Sequence, residues 1–370
     1  MTKTILLVAG GTGGHLFPAL ALREALMGRG WAVHVASDAR VGRFVEGVPA
    51  EETHVVRAAT ITKSPVRAAA ALVELGLGLV EARRLLKRLR PAAVVGFGGY
   101  PTVPPLIAAR LAGIPAIAHD ANSVLGRANR LLLRCGARLA TSFPHPAGAE
   151  RARAATLVGN PVRAAVLQAA AGDYRAPQPD GPFRLLVFGG SQGAQVFSDQ
   201  LPAAVARLEP EQRRRLRIVQ QCRPEDLERT RDAYVEIGVE AELAPFFADL
   251  PRRVADAHLV ISRSGASTVA ELAVLGRPAI LVPYPHALDQ DQAANAAALG
   301  AVAGGWMMPQ SELTPKRLAE RLGGLMKTPN ELARVAAAAK KMGRPDAVER
   351  LADLVEEEAA GRPPEGRGSA

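Results

Sequence analysis

Two glycine-rich segments with nearly the same sequence lie about half a chain apart. The first reads LLVAGGTGGH over residues 6–15, and the second reads LLVFGGSQGA over residues 185–194. A turn of this kind between a strand and a helix lets a phosphate approach the backbone, where the helix N-terminus supplies free N–H groups and a partial positive charge. The repeat therefore predicts two phosphate-bearing ligands. Only the first segment carries a histidine, His15, where the second has Ala194.

The histidine in the first turn is suited to acid–base chemistry. Histidine as a residue type titrates near neutral pH, so a histidine at this position is able to accept the proton of a hydroxyl group. We predict His15 as the general base of a transfer reaction, with Asp120 as the second candidate. The alternative is that His15 only binds a phosphate or orders the turn.

Five further segments combine polar side chains with turn residues. They are GFGGYPTVPP (96–105), AHDANSVLGRANR (118–130), GNPVR (159–163), SRSGASTVAEL (262–272) and PYPHALDQDQAANA (283–296). Ser264, Gly265 and Ala266 predict a small-residue turn that opens a helix, and Glu271 lies near the beginning of that helix. A carboxylate there is expected to accept both hydroxyl groups of a ribose, while helix capping is the alternative.

Short apolar runs alternate with helical patterns along the whole chain, which predicts parallel sheets with crossover helices. The predicted strands are Thr4–Val8, Ala32–Ala36, Ala92–Val95, Ala116–Ala118, Arg138–Thr141, Arg184–Phe188, Leu216–Gln220, His258–Ser262 and Ala279–Val282. Each half has enough units for its own sheet. We therefore predict an α/β fold with two Rossmann-like domains whose sheets face a cleft, since ligands of open parallel sheets bind at the carboxyl ends of the strands.

The domain boundaries follow from composition. We predict an N-terminal domain over 1–163, a C-terminal domain over 164–345, a helix over 346–360 and a disordered tail over 361–370. The helix is able to dock on either domain, and the N-terminal domain is the candidate. The stretch AAAGDYRAPQPDGP (169–182) holds three prolines and two glycines and is predicted to be the linker.

The overall composition narrows the class of partner. A net charge of +10 suits phosphates or anionic lipid, whereas the aromatic content of 4% argues against single-stranded nucleic acid, which needs stacking surfaces. The apolar run over 68–80 is interrupted by Glu74 and is too short to cross a bilayer. One predicted helical face instead places apolar residues near cations, and either contacts anionic lipid or packs in the core. Its residues are Leu72, Leu75 and Leu79, with Arg83, Arg84, Lys87 and Arg88 nearby.

Six motifs, in order along nearly the whole chain, resemble those of the peptidoglycan N-acetylglucosaminyltransferases. They are GGTGGH (10–15), GGY (98–100), GNPVR (159–163), GGSQGA (189–194), SGAxTxxE (264–271) and QxxNA (292–296). The resemblance implies the two-domain glycosyltransferase B fold. It also implies transfer of GlcNAc from UDP-GlcNAc to the C4 hydroxyl of MurNAc in lipid I, with inversion, which yields lipid II and UDP.

The same resemblance implies a place and partners in the cell. The protein is expected at the cytoplasmic face of the bacterial membrane, bound peripherally to an anionic surface, with roles in cell-wall synthesis, cell shape and cell division. Its N-terminal domain is expected to hold lipid I and to contact the membrane, and its C-terminal domain to hold UDP-GlcNAc. Other cell-wall proteins remain open as partners, and nucleic acid is not expected.

Carried over position by position, the family's contacts fall on residues of this sequence. Donor contacts are implied for Thr12, Gly13, Gly14, Asn122, Arg163, Ser191, Phe247, Ala266, Ser267, Thr268, Val269, Ala270, Glu271 and Gln292. Acceptor contacts are implied for Gly11, Gly14, Gly98, Gly99, Tyr100 and His119. The family usually has H-E-x-N where this chain has His119, Asp120, Ala121 and Asn122, so the acid is one methylene shorter.

We predict no protein-bound metal and no required cofactor, although dependence on a divalent cation stays open. Asp289 and Asp291 have the D-x-D spacing of a cation site, but they stand beside amides that suit sugar hydroxyls, and a helix start attracts acids in any case. Three other functions remain open. A UDP-GlcNAc epimerase needs no lipid acceptor, a Rossmann dehydrogenase needs an acidic residue that is missing after the first turn, and a membrane scaffold releases no UDP.

Overall fold

A computed structural model describes residues 3–10, 13–38, 48–59, 65–150, 155–190 and 193–361. The chain forms two compact units. The first consists of Met1–Pro161 with Asp346–Ala370, and the second of Val162–Pro345. Each unit is built on its own parallel sheet, as the alternation of strand and helix patterns predicts.

The first unit contains a seven-stranded sheet of order β3-β2-β1-β4-β5-β6-β7. Its strands are β1 (Thr4–Val8), β2 (Ala32–Ser37), β3 (Thr53–Val55), β4 (Ala93–Gly96), β5 (Ala116–Asp120), β6 (Arg138–Thr141) and β7 (Ala155–Leu157). Its first four helices are α1 (Gly13–Gly28), α2 (Pro65–Leu89), α3 (Val103–Leu111) and α4 (Arg127–Arg134). The central strands are buried on both faces: Ile5 and Leu7 pack in one core cluster, while Leu6 and Val8 pack in another.

The second unit contains a six-stranded sheet of order β10-β9-β8-β11-β12-β13. Its strands are β8 (Phe183–Phe188), β9 (Leu216–Gln221), β10 (Ala241–Ala244), β11 (Leu259–Ser262), β12 (Ala279–Leu281) and β13 (Trp306–Met307). Its helices are α5 (Ala164–Ala169), α6 (Gln195–Val205), α7 (Pro210–Arg215), α8 (Leu227–Glu236), α9 (Leu250–Asp256), α10 (Ala266–Leu275), α11 (Asp291–Ala301), α12 (Pro315–Met326) and α13 (Pro329–Met342). All of the strand pairs are parallel.

The last helix, α14 (Ala347–Ala359), packs against the first unit. Leu351 and Val355 are buried in the same core cluster as β1 and α1. Arg29, which follows α1, donates to Asp353 and Glu356 at 2.7 Å each, and it also pairs with Glu349. The end of the chain therefore belongs to the unit with which the chain begins.

The prediction of a linker over 169–182 was wrong. The boundary between the units lies between Pro161 and Val162, and the predicted linker is part of the second unit. There the Tyr174 hydroxyl donates to the His258 carbonyl at 2.9 Å, and Lys340 pairs with Asp173 at 2.8 Å. Proline and glycine indicate turns in the chain, but they do not show which elements the turns pack against.

Candidate functional site

In the first unit, the glycine turn after β1 places His15 on the opening turn of α1. Gly11 and Thr12 lie outside the described residues, and α1 begins at Gly13. The His15 ring lies against the backbone of Gly98 and Gly99: a Cβ atom on Gly98 would be 3.3 Å from Cδ2 and Nε2, and one on Gly99 would be 3.6 Å from Cε1.

The backbone geometry and the space beside His15 explain why Gly98 and Gly99 are both glycines. Gly98 and Gly99 have φ angles of +89° and +77°, which L side chains rarely adopt, and any side chain at Gly98 would press on the imidazole. The structure thus brings together two predicted motifs that are far apart in the sequence. Tyr100, the next residue, is half-buried in the turn that leads into α3, and Gly14 is exposed.

His119 is buried inside the first unit, at the carboxyl end of β5. Its Nε2 lies 2.9 Å from the Gly159 carbonyl oxygen, and its ring centroid is 5.4 Å from that of Phe97. The pKa of His119 is lowered to about 4, mainly by burial and to a smaller extent by His15, while the hydrogen bond to Gly159 acts in the opposite direction. A neutral ring that donates from Nε2 to Gly159 keeps Nδ1 as an acceptor, so His119 is a fixed, uncharged neighbour of His15.

Asp120 organises the loop that follows β5. The carboxylate of Asp120 accepts hydrogen bonds from the backbone N–H groups of Asn122 and Gly126, at 3.0 and 2.7 Å. It also accepts one from Asn129 Nδ2 at 3.0 Å, and the side chain is buried. These contacts favour a positioning role for Asp120, while its catalytic role remains a prediction. Asn122 lies half-buried in the same loop.

Sequence reasoning missed Asn129 on α4. This buried amide donates to both the His119 carbonyl and the Asp120 carboxylate, each at 3.0 Å. It therefore holds the end of β5 and the following loop in one arrangement. A polar residue on the helix after a polar strand end is the only sequence signal for this role.

In the second unit, the glycine turn after β8 is closed by its own backbone. A Cβ atom on Gly189 would lie 2.4 Å from the Ala194 nitrogen, so only glycine fits there. Ser191 lies outside the described residues. Gln221, which the sequence analysis also missed, accepts from the Gly189 N–H at 3.0 Å and donates to the carbonyls of Gly190 and Pro245 at 2.9 and 3.1 Å.

Gln221 thereby ties the glycine turn to the segment that contains Phe247. The Phe247 ring is buried, with the Arg253 guanidinium 4.4 Å from its centroid, whereas the ring of Phe246 is exposed. The predicted donor residue Phe247 thus lies in a segment that Gln221 links directly to the second glycine turn.

The turn before α10 is joined to α11 by side-chain hydrogen bonds. The Ser264 hydroxyl donates to the Gln292 carbonyl at 2.8 Å, and Asn295 Nδ2 donates to the Ser264 carbonyl at 3.2 Å. The Gln292 side chain accepts from the Tyr284 N–H at 2.9 Å. The structure therefore brings the predicted motifs over 264–271 and 292–296 together. At the start of α10, Ala266, Ser267, Thr268 and Ala270 are half-exposed and Val269 is buried.

Glu271 and Arg163 form an ion pair that the sequence did not predict. Arg163 Nη2 lies 3.0 Å from Glu271 Oε1, and Nε lies 3.3 Å from the same oxygen. Burial raises the pKa of Glu271, while Arg163 acts in the opposite direction. Helix α10 begins at Ala266, and a capping residue would stand at the first turn of the helix. Glu271 lies beyond that turn and is therefore not a capping residue. The pair is a buried carboxylate held by a guanidinium, next to the turn that opens α10.

The exposed apolar residues of α2 coincide only partly with the predicted face. Leu79 is half-buried and packs against the core, which is the alternative to lipid contact, Leu75 is half-buried, and Leu72 is exposed. The exposed apolar residues are Leu72, Val73, Leu77 and Val80. Val73, Leu77 and Val80 have the spacing of one helical face, which lies beside Leu72, because the other side of α2 covers the sheet. No helix among the described residues is long and apolar enough to cross a membrane.

Two parallel α/β units, each with a glycine turn after its first strand, define a protein of two Rossmann-like domains. The glycosyltransferase family 28 N-terminal domain matches residues 5–141, and the family's C-terminal domain matches residues 184–351. The chain belongs to glycosyltransferase family 28.

Relatives of the chain are similar over nearly its whole length. A protein of Mesorhizobium japonicum, named UDP-N-acetylglucosamine--N-acetylmuramyl-(pentapeptide) pyrophosphoryl-undecaprenol N-acetylglucosamine transferase, is 54% identical over 95% of this chain and 94% of its own length. A Brucella abortus protein of the same name is 54% identical over 97% and 95%. The crystal structure of Acinetobacter baumannii MurG is 30% identical with a TM-score of 0.79, covering 96% of this chain and 99% of its own.

Proposed function

We propose that this protein transfers N-acetylglucosamine from UDP-GlcNAc to the C4 hydroxyl of MurNAc in lipid I, which yields lipid II and UDP with inversion. The observation that carries the proposal is the pair of glycine turns, one in each unit, each followed by a helix. Both substrates contain a diphosphate, and a helix N-terminus is suited to an anion of that kind. The names of the relatives support the same substrates.

The second unit holds the donor in this proposal. Glu271 accepts hydrogen bonds from the two ribose hydroxyls of UDP, and Arg163 opposes the effect of burial on the pKa of that largely buried carboxyl. The turns that open α6 and α10 receive the diphosphate through backbone N–H groups. Negative charge that develops on the leaving UDP is then stabilised by donors that are already oriented before the reaction.

The first unit holds the acceptor and the base. The C4 hydroxyl of MurNAc loses its proton to the His15 imidazole as its oxygen bonds to C1 of GlcNAc, and the bond from C1 to UDP breaks. The glycines around the His15 ring restrict its position, and the uncharged His119 adds no opposing charge at neutral pH. One in-line attack of this kind inverts the configuration at C1.

The exposed face of α2 is the membrane contact in this proposal. Leu72, Val73, Leu77 and Val80 enter the lipid interface, while the nearby Arg83 and Lys87 attract anionic headgroups. The protein then acts peripherally at the cytoplasmic face of the membrane, in cell-wall synthesis that underlies cell shape and division.

One assay tests the reaction. The protein is incubated with UDP-GlcNAc labelled in the sugar and with a lipid I analogue, and lipid-extractable label is measured together with UDP. We expect label in the lipid and an equal amount of UDP. Label in a free, isomerised sugar nucleotide without any acceptor would indicate an epimerase, and no release of UDP with the acceptor would indicate a scaffold.

A further inference from the structure

Arg263 lies between the two turns that receive the donor diphosphate in the proposed function. Its backbone follows Ser262, the last residue of β11, and precedes the turn that opens α10. Its guanidinium carbon lies 5.6 Å from the centroid of the Phe197 ring, and Phe197 is in the first turn of α6, the helix that follows the second glycine turn. The side chain therefore extends from the loop before one helix to the first turn of the other.

Hydrogen bonds hold the Arg263 guanidinium at the carboxyl end of the sheet. Nη1 donates to the carbonyls of Val282 and Pro283 at 3.2 and 3.1 Å, and Nη2 donates to Gln310 Oε1 at 2.6 Å. The centroid of the Tyr284 ring lies 5.4 Å from the guanidinium carbon. Because these residues follow β12 and β13, the group is fixed at the ends of three neighbouring strands, β11, β12 and β13.

The positive charge of Arg263 has no counter-charge within the parts of the chain that the structure describes. Its acceptors there are two carbonyls and one amide oxygen. Burial lowers the pKa of the guanidinium, and Tyr284 acts in the opposite direction. A charge that is removed from water is normally paired, so an anionic ligand is the expected partner. Three of the five guanidinium N–H groups have acceptors among the described residues, which leaves two for that ligand.

We infer that Arg263 binds the diphosphate of the sugar-nucleotide donor and stabilises the charge that develops on the leaving UDP. The inference rests on the proposed function and adds a cation to its donor site. Planar guanidinium N–H groups match phosphate oxygens, and a group that is oriented before the ligand arrives needs no reorganisation during the reaction. A purely structural Arg263 would tie the loops after the three strands together, a task that needs the hydrogen bonds but no anion.

Arg277 provides a matched control in the same unit. It is also buried, and its guanidinium donates to the carbonyls of Ala255, Leu275 and Gly276. Arg277 precedes β12, whereas Arg263 follows β11, and the two strands are parallel neighbours. The two arginines therefore lie at opposite edges of the sheet. A substitution of Arg277 removes similar hydrogen bonds without touching the donor turns.

The experiment compares the binding of UDP with that of uridine, which has the same base and ribose but no phosphate. Dissociation constants are measured at one ionic strength for the wild type, Arg263→Met, Arg263→Lys and the control Arg277→Met. In Arg263→Met the affinity for UDP should fall by roughly tenfold or more, because hydrogen bonds between charged groups are lost, while the affinity for uridine should stay the same. Arg263→Lys keeps the charge but not the planar group and should give a smaller, equally selective loss. Arg277→Met should keep the wild-type ratio of the two affinities.

Equal losses of UDP and uridine affinity in Arg263→Met would show that Arg263 only ties the loops together, and would overturn the inference. Unchanged affinity for UDP in that variant would overturn it as well. If Arg263→Met does not fold, which a thermal unfolding curve would show, the inference stands only if Arg263→Lys loses affinity for UDP and not for uridine.

Transfer of labelled GlcNAc to the lipid I analogue provides the separate readout. If the wild type prefers UDP to uridine, Arg263→Met loses that preference and no sugar is transferred, the proposed reaction is rejected and the role of Arg263 in binding a diphosphate is supported. If sugar is transferred but Arg263→Met keeps the wild-type preference for UDP, only the inference is rejected. A wild type that binds UDP no more tightly than uridine also rejects the inference.

Discussion

The two glycine turns are nearly identical in sequence but differ in structure. In the first, α1 begins at Gly13, so His15 is already helical and its ring lies over Gly98 and Gly99. In the second, α6 begins only at Gln195, so Ala194 precedes the helix and packs against Gly189. A Cβ atom on Gly189 would lie 2.6 Å from the Ala194 Cβ, so the chain approaches itself too closely there for any residue but glycine at 189.

This difference assigns different tasks to two turns that the sequence alone does not distinguish. The second turn is closed by its backbone and by Gln221, and is suited to holding a ligand that does not change position. The first turn leaves room for a side chain that faces a second loop, and is suited to placing a base. The comparison therefore predicts that substitutions in the first turn change kcat and those in the second unit change the donor KM.

The largest effect is expected for His15→Ala. Removal of a general base should lower kcat by roughly 10²–10⁴-fold and leave the donor KM nearly unchanged. The wild-type rate should also fall on the acid side, with an apparent pKa that disappears in the variant. Steady-state kinetics over a pH series test this, with Ala194→Gly as the matched control. If the variant keeps most of its kcat, His15 is not the general base, and the alternative that it binds a phosphate or orders the turn is favoured.

Next in size is Glu271→Ala. The variant removes the charged acceptor of two ribose hydroxyl bonds, so the donor KM should rise about tenfold or more. The kcat with saturating donor should change much less, which is the reverse of the result for His15. If the melting temperature collapsed and KM stayed the same, Glu271 would be a structural residue only.

A smaller, pH-dependent effect is expected for Arg163→Gln. Without the guanidinium, burial alone acts on Glu271 and raises the pKa of its carboxyl further. Since ribose binding needs the ionised carboxylate, the donor KM of the variant should rise several-fold as the pH falls, and this rise should begin at a higher pH than in the wild type. Glu271→Gln, which does not titrate, is the control, and its donor KM should be independent of pH over the same range. Parallel profiles for the wild type and Arg163→Gln would show that the pair is not coupled in the donor site.

The smallest effect is expected for Gln221→Ala. This change leaves the carbonyls of Gly190 and Pro245 without a side-chain donor, so the free energy of unfolding should fall by about 1–3 kcal/mol. The donor KM should rise a few-fold through loosening of the turn, and kcat should stay near the wild-type value. Chemical denaturation with kinetics on the same samples tests both. An effect on kcat alone would contradict the assignment of this turn to donor holding.

The bounds of the predicted strands were confirmed to within about one or two residues. Four further strands were not predicted, all for the same reason. Central parallel strands are buried on both faces, so they read as continuous apolar runs such as that of β1. The missed strands β3, β7, β10 and β13 are two to four residues long and half-exposed. Such strands form because a neighbouring strand offers hydrogen bonds, which leaves no local pattern.

By itself, the sequence determined the α/β class, the repeated glycine turns, and the family motifs on which the candidate residues depend. These features are local: apolar runs specify strands, and glycines specify tight turns. Only the tertiary structure decided that Arg163 holds Glu271 across 108 residues, that His15 faces Gly98, and that α2 turns Leu77 rather than Leu75 to solvent. The physical reason is that such contacts depend on strand order and on the rotation of a helix against its sheet. Both are set by packing of the whole unit and leave no signature at the residues themselves.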